Sequence, residues 1–571
     1  MPSTRSELIR LFLLGIIIAI PLLLKLTAIL HFRVDSDEPQ HAHVVWGWTT
    51  GHLQYRDIFD NHMPLFHILC APYFALFGEY SNIMLPLRIA MVPLYAACIW
   101  LVYRLGAILF SKRWGIWACV TASLLPAFFY PSTEFRPDNL WAVCWFLSLA
   151  VAISGEFTFK RAFVLGLLTG VTAIVSTKTV FLGAALAISA GMTFGLRAWI
   201  DGKRPVLKEC FSYVFLIMCG GIIPFGLVAA YFAANGAFHA FLYGVFFHNM
   251  VPGLKRWENF WSLGWIFPAT LPFLAAYGAF VIRQAPTVPA GTRRVLILLT
   301  PYLYAGLMYS YCPDLSRQDN LPLVPLLPLT VVPVLTFLSR RLPRFESSAA
   351  TFSCVLIAIL LAEGAWTWSA YDLTGKGVRR LKREISLILK ITNKGDYVMD
   401  AKGEYVFRNR PYYWGFEPVT RARLRQGSII DDIPECLERT ATKVSYFYVT
   451  YPGTASAIFI ARNYLPFNPA QPDVGVAGKI IGSPARATPC GFDVTIPASY
   501  RILSDTGETK GELDGTTYKG PAYLSVGHHT FVREAGDGRL AIMWARALDM
   551  GYHPMFGQSE RIIKTMSANP H

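Results

Sequence analysis

Runs of about 20 apolar residues, separated by short polar loops, follow one another along this chain as far as Ala370. A helix of that length crosses a ~30 Å hydrocarbon core, and in lipid only helices and closed barrels satisfy every backbone N–H and C=O. The pattern predicts about eleven spans, at roughly 10–31, 83–110, 114–132, 139–155, 161–177, 179–197, 211–234, 261–282, 295–312, 321–338 and 350–370. The stretch PLFHILCAPYFALFG (64–78) is short for a crossing and reads as a re-entrant or interfacial helix. The first run is too long for a cleaved signal and lacks a small-residue cleavage site. Lys25 lies near its outer end, where a long stem snorkels to the headgroups.

Hydrophobic residues make up 53% of the 571-residue chain and charged ones only 16%. Soluble domains carry about a quarter charged residues, so much of the apolar content is expected to face lipid. The formal net charge of +15 would suit nucleic acid, but the basic residues sit in clusters between apolar runs. That is the positive-inside pattern, and no nucleic-acid partner is expected. With the N-terminus inside, the inner loops hold Lys112 and Arg113, Lys160 and Arg161, Arg197 to Lys208, Arg283 to Arg294, and Arg340 to Arg344. The outer loops hold roughly half as many basic residues, over longer stretches. An odd number of spans then places the tail outside.

The tail, 371–571, is more polar and rich in Gly and Pro. A helical pattern at 377–392 precedes strand-like runs such as VSYFYVTY (444–451) and YLSVG (523–527). The expected architecture is a polytopic α-helical membrane domain over 1–370, followed by an extracytoplasmic soluble α/β, β-rich domain over 371–571. The ten cysteines show no CxxC pair and no metal-ligand spacing. Most read as small buried hydrophobes; Cys436 and Cys490 lie in the tail, where an oxidising compartment would permit a disulfide.

The chemistry-bearing residues fall in the outer loops. DSDEPQHAHVVWGWTTGHLQYRDIFDNHMPLFH (35–67) packs Asp35, Asp37, Glu38, Asp57 and Asp60 directly after the first span, among histidines and aromatics. STEFRPDNLWA (132–142) sets Glu134, Arg136 and Asp138 in a tight hairpin. VSTKTV (175–180) places Lys178 between two spans. HNMVPGLKRWENFW (248–261) holds Lys255 and Arg256, and YCPDLSRQDNLPLVPLLP (311–328) holds Asp314, Arg317 and Asp319. Arg88 falls within an apolar run, where an ionisable group faces a protein interior or a water-filled cavity. Each loop alone also reads as a solvated surface with weak ion pairs. Together, carboxylates and cations gather on one side of the bilayer. Cations there suit a lipid phosphate, spans suit its chain, and a carboxylate suits a general base for an acceptor hydroxyl. His41 and His43 leave a divalent metal open, but a lone HxH without further spaced ligands is a weak signal.

In order and placement these loops resemble the GT-C superfamily of membrane glycosyltransferases, within it the protein O-mannosyltransferase-like and lipid A aminoarabinose transferase-like branches. Asp37-Glu38 stand where that family has an acidic motif soon after span one. Asp60 before Met63-Pro64-Leu65 is similar to its acidic residue ahead of a Pro-Leu pair. Asp138 in FRPDN matches its second-loop Asp, Lys178 in VSTKTV its later Lys, and Arg317 its basic residue before a Pro-rich span. The chain departs at Asn61-His62-Met63-Pro64, where the family often has Lys-Pro-Pro. The resemblance covers the layout of roughly residues 1–340. It implies a polyprenyl-phosphate sugar donor, inversion at the anomeric carbon, and a glycan, lipid or protein acceptor outside the cytoplasm. It also implies a catalytic first-loop carboxylate: Asp37, with Asp35 and Glu38 beside it. Asp138 then positions donor or acceptor. Asp60, Arg136, Lys178, Lys255, Arg256, Arg317 and Arg88 are the substrate-binding candidates. The family's commonest setting is a bacterial inner membrane.

Two other classes compete. A lipid or polysaccharide transporter or flippase would share the many spans, but transporters commonly carry internal repeats and broken helices near the midplane, the sequence shows no clear sign of either, and here the charges cluster at one surface. A binding or scaffold protein would use the tail, which leaves the charged loops of the first 340 or so residues unexplained.

Overall fold

Every predicted apolar run holds a helix in the computed structural model, which describes residues 4–201, 207–251, 266–312, 315–341, 349–370 and 377–568. The helices are α1 (Thr4–His31), α2 (Asp37–Thr49), α3 (Leu65–Ala75), α4 (Met84–Ile89), α5 (Val92–Leu109), α6 (Lys112–Ser123), α7 (Pro126–Phe129) and α8 (Pro137–Ile153). There follow α9 (Phe159–Ala173), α10 (Thr179–Asp201), α11 (Leu207–Ala234), α12 (Phe238–Leu242), α13 (Ile266–Arg283), α14 (Val288–Tyr311), α15 (Leu327–Arg341), α16 (Ala349–Ala370) and α17 (Gly377–Ile391). Among the described residues, five helical stretches are long and apolar enough to cross a membrane: Met84–Leu109, Thr179–Ile200, Cys210–Ala234, Arg317–Leu338 and Phe352–Ala370. A sixth is the pair Lys112–Ser123 and Pro126–Thr133, bent by 73°. The stretch 64–78, expected to be a re-entrant or interfacial helix, holds the short helix α3.

Local chemistry sets the helix starts. Ser111, Thr158 and Thr287 each cap a helix by accepting an N–H from three residues on, and proline opens α7, α8 and α14. Such oxygens satisfy donors that no helix turn reaches, and proline there has no N–H to lose.

The chain divides into two compact units. The first comprises Met1–Glu38, Asn61–Phe74 and Ile83–Arg379. Its core runs from Ala28 to Leu360 and includes the fully buried Trp141 and Trp145. Helices α9 and α11 meet through glycines: a Cβ on Gly166 would lie 2.2 Å from Ile217 O, and one on Gly170 2.4 Å from Gly221 O. Small residues let backbones approach where lipid offers no hydrophobic drive for association. Lys25, expected to reach the headgroups, is instead buried. Its Nζ donates to Phe129 O and Ser132 Oγ, both at 2.7 Å, and lies 4.4 Å from the Tyr95 ring centroid. An ammonium with two acceptors and an aromatic face within reach has less reason to extend to water.

The second unit comprises Pro39–Asp60, Ala75–Asn82 and Arg380–His571. Its strands are β1 (Val398–Met399), β2 (Val444–Tyr446), β3 (Tyr464–Pro466), β4 (Val474–Gly482), β5 (Pro489–Val494), β6 (Ala498–Ser504), β7 (Gly507–Glu508), β8 (Gly511–Leu513), β9 (Thr516–Tyr518), β10 (Ala522–Leu524), β11 (Gly527–Arg533) and β12 (Leu540–Trp544). One sheet has the order β1-β2-β4-β12-β6-β10, with β3 paired to β4 and β7 to β6; the other is β5-β11-β8-β9. Only β1 and β2 pair in parallel among these ladders. The amphipathic α17 turns Leu387, Ile388 and Ile391 into this unit's core and leaves Lys382 and Arg383 exposed. The run 444–451 is a strand only as far as Tyr446; Phe447 and Val449 are buried beyond it in turns. Cys436 and Cys490 are both free thiols, so the disulfide that an oxidising compartment would permit is not formed between them. Cys436 sits on the helix Ile433–Arg439 and approaches Asp432, whereas Cys490 on β5 donates to Ile481 O at 2.9 Å.

Candidate active site

In the first unit, the start of α2 and the start of α8 bring three carboxylates to one guanidinium. Asp35 and Glu38 cap α2 reciprocally: Asp35 N–H donates to Glu38 Oε1 at 2.9 Å, and Asp37 N–H to Asp35 Oδ1 at 3.2 Å. A carboxylate at a helix N-terminus is favoured by the exposed N–H groups, as is Asp138 in the first turn of α8. Arg136, just before α8, donates from Nε to Asp138 at 3.1 Å and from Nη1 to Asp35 at 3.3 Å, and Nη1 also pairs with Asp37. Burial opposes the guanidinium's charge, but Asp37 and Asp138 outweigh it and hold Arg136 protonated, above its ordinary value. The side chains differ in access: Asp37 is 27% exposed, Asp35 17% and Asp138 10%. Asp37 is therefore the carboxylate of the three that most readily meets a substrate.

Glu38 and Arg88 form a second, closed pair, both fully buried. Arg88 donates from Nη2 to Glu38 Oε1 at 2.5 Å and from Nε to Oε2 at 2.8 Å. Its other donors reach the carbonyls of Ile29, Phe32 and Arg33. Glu38 Oε2 also accepts Phe135 N–H at 3.0 Å. One carboxylate thus ties the end of α1, the start of α2 and the 134–136 hairpin together, which fixes where Asp35, Asp37 and Arg136 stand.

Lys178 donates to both oxygens of Asp319, at 2.7 and 2.8 Å. Burial disfavours its charge, yet Asp319 prevails and raises its pKa, with a smaller contribution from Asp138. Asp319 is held in turn by Ser316 N–H at 2.7 Å. Glu134 accepts from Gln318 Nε2. Burial, then the nearby Glu38 carboxylate, push its pKa up to about 8, so it carries a proton at neutral pH. Glu134 and Asp319 stand in the charged loops of the sequence, where neither carries a role that the sequence alone assigns. Gln318 was not legible there: its partner lies 184 positions away, and an amide in a polar loop carries no signal of its own.

Asp60 belongs to the second unit, fully buried, where it accepts from Gln54 Nε2 at 2.6 Å. Arg317 is exposed. Lys255 and Arg256, like Asp314, lie outside the described residues. His41 and His43 are both buried on α2. Among the described residues no group of three His, Cys, Asp or Glu side chains is arranged to hold a metal ion.

No protein-family model matches the sequence, and no curated protein does either. Solved structures do match. The apo crystal structure of ArnT from Cupriavidus metallidurans aligns with 83% of this chain and 98% of its own, at 13% identity and a TM-score of 0.53. The same protein bound to undecaprenyl phosphate aligns with 76% of this chain and 93% of its own, at 12% identity and a TM-score of 0.50. At such identities the likeness is one of fold: this chain has the GT-C fold, apolar helices followed by a sheet-containing C-terminal part.

Proposed function

We propose that this protein is an inverting glycosyltransferase that moves a sugar from a polyprenyl-phosphate donor to a glycan, lipid or protein acceptor on the outer side of the membrane. The observation that carries the reading is the convergence of Asp35, Asp37 and Asp138 on Arg136, in a chain with the fold of a protein crystallised with undecaprenyl phosphate. In the proposed step, an acceptor oxygen attacks the anomeric carbon opposite the phosphate. The bond to the phosphate oxygen breaks, and polyprenyl phosphate leaves with the electron pair. Asp37 takes the acceptor's proton when the acceptor is a hydroxyl. With a phosphate acceptor no base is needed, and the carboxylates orient the sugar. Asp35 and Asp138 hold Arg136 and the sugar in register, Glu38 positions them through Arg88, and Lys178 stabilises charge on the leaving phosphate. Lys255, Arg256 and Arg317 serve as further phosphate contacts, and Asp60 supports the first loop.

The proposed topology has eleven spans, a cytoplasmic N-terminus, a membrane domain over 1–370 and an extracytoplasmic domain over 371–571, in a bacterial inner membrane. The orientation rests on the bias of Lys and Arg toward the inner loops.

The test is transfer from radiolabelled polyprenyl-phosphate sugars by purified protein in nanodiscs, with membrane extract as acceptor source. Wild type should turn over, and Asp37→Asn should lose at least about 100-fold in rate, within the range for removing a catalytic base. Equal turnover by the folded variant would remove Asp37 from the mechanism. Absence of any donor consumption would remove the transferase reading.

A further inference from the structure

The second unit forms a half-open cavity of about 420 Å³, with no residue of the Arg136 cluster among its walls. One wall is the first-loop stretch with His43, His52 and Phe59; the other is the turn 397–415, with Arg439 and Thr440 beside it. A smaller cavity of about 200 Å³ shares Tyr397 and Thr440 with it. Volumes of a few hundred Å³ are those of small-ligand sites.

The walls are braced. Asp400 accepts from Gly403 N–H at 2.7 Å, Tyr405 N–H at 3.0 Å and Arg410 Nε at 2.8 Å. Tyr413 Oη donates to Tyr55 O at 2.5 Å, and Phe59 meets Tyr413 and Trp414 edge-on. His43 Nδ1 bonds Val406 O at 2.8 Å. A carbonyl only accepts, so Nδ1 carries the hydrogen. Burial pushes that imidazole down to about 4, leaving it neutral with Nε2 as an acceptor. Backbone strain concentrates here as well. Tyr55 (φ 71°), Val406 (φ 53°) and Ala441 (φ 46°) are three of the five described non-glycine residues with positive φ. The first two present the carbonyls that hold Tyr413 and His43; the third follows Thr440. A β-branched residue such as Val406 rarely adopts that conformation, and strain of this kind collects at ligand sites.

The lining chemistry is specific. Tyr397 and Tyr413 give flat faces, which suit the C–H faces of sugars, whereas the Tyr412 ring is buried and its hydroxyl donates to Ile430 O at 2.9 Å. The lining holds three cations, Lys402, Arg410 and Arg439; Arg410 is bonded to Asp400 and to backbone carbonyls, and Lys402 has the Glu404 carboxyl near it. Asp57 is the lining's one carboxylate, and Arg56 neutralises it through two bonds at 2.9 and 2.8 Å. We infer that this cavity binds a glycan carrying an anionic substituent, through the Tyr397 and Tyr413 faces and the positive charge that Lys402 and Arg439 bring to the lining. That the bound glycan is the acceptor rests on the transferase reading; the binding itself does not.

The experiment is isothermal titration of the full-length protein in nanodiscs, without donor, using trigalacturonate, maltotriose 1-phosphate and neutral maltotriose. Binding of either anionic probe, at least about tenfold tighter than maltotriose, is the expected result, and which one binds identifies the substituent. Arg439 is exposed, so Arg439→Ala should fold normally and weaken that binding about tenfold. Lys402→Gln should do the same. Equal affinity for the neutral probe, no binding of any probe, or undiminished binding by Arg439→Ala would overturn the inference. None of these outcomes depends on whether the protein transfers a sugar.

Discussion

At the scale of residues, the charged groups of the first unit divide into those closed off from substrate and those left partly open. Glu38 and Arg88 are closed: each is fully buried and spent on the other and on backbone groups. Removing one partner strands the other's charge in a dry interior. Glu38→Gln should therefore destabilise the protein by about 3–5 kcal/mol, read as a lowered Tm in detergent. The double substitution Glu38→Leu with Arg88→Met should recover part of that loss, because neither charge is then stranded. Glu134 gives a pH signature. Its carboxyl is raised from 4.5 to about 8 in the folded state, so the folded protein holds a proton that the unfolded chain releases. The stability it contributes is whole below about pH 4.5 and is lost as pH rises through about 8. Tm should fall across that window, and Glu134→Gln, which cannot ionise, should flatten the fall. A slope unchanged by the substitution would show that another group carries it.

At the scale of elements, the apolar runs were legible because twenty lipid-facing residues leave a compositional mark that no soluble helix shares. Their contacts were not legible. The glycines of α9 and α11 read as ordinary helix residues until the crossing is seen, at which point a Cβ on Gly166 meets Ile217 O. Gly166→Ala should lower Tm through forced separation of the pair, by about 1–3 kcal/mol. Gly183→Ala on α10, where nothing lies within 4 Å, should be neutral or slightly stabilising. The site was legible in the same partial way. Asp37, Asp138 and Arg136 were visible as loop residues on one side of the bilayer, but that one guanidinium serves Asp35, Asp37 and Asp138 depends on two helix starts about 100 positions apart, and no periodicity encodes that. Lys25 shows the converse. Its position near a span end favours snorkelling, and only the fold supplies Phe129 O and Ser132 Oγ to keep it inside.

At the scale of the whole molecule, the proposed topology has a direct readout. Alkaline phosphatase fused after Arg341 should be inactive and one fused after Ser567 active, with green fluorescent protein giving the opposite pattern. Two like signals would break the odd span count. The second unit bears on how the protein is made. It is built from Pro39–Asp60, Ala75–Asn82 and Arg380–His571, so its two early pieces are synthesised long before the chain that completes their core. At ~5–20 residues per second, the interval from Asp60 to Arg380 is on the order of 15–60 s. Throughout that time the first-loop segment waits without Tyr413 and Val406, and the Ala75–Asn82 piece without Arg408, their partners in the finished unit. On the proposed orientation it waits on the outer face of the membrane, beyond the reach of cytoplasmic chaperones. Ribosome speed and membrane insertion thus become part of how this protein reaches its native state, and a stalled or truncated nascent chain would offer that loop to proteases before it has anything to fold against.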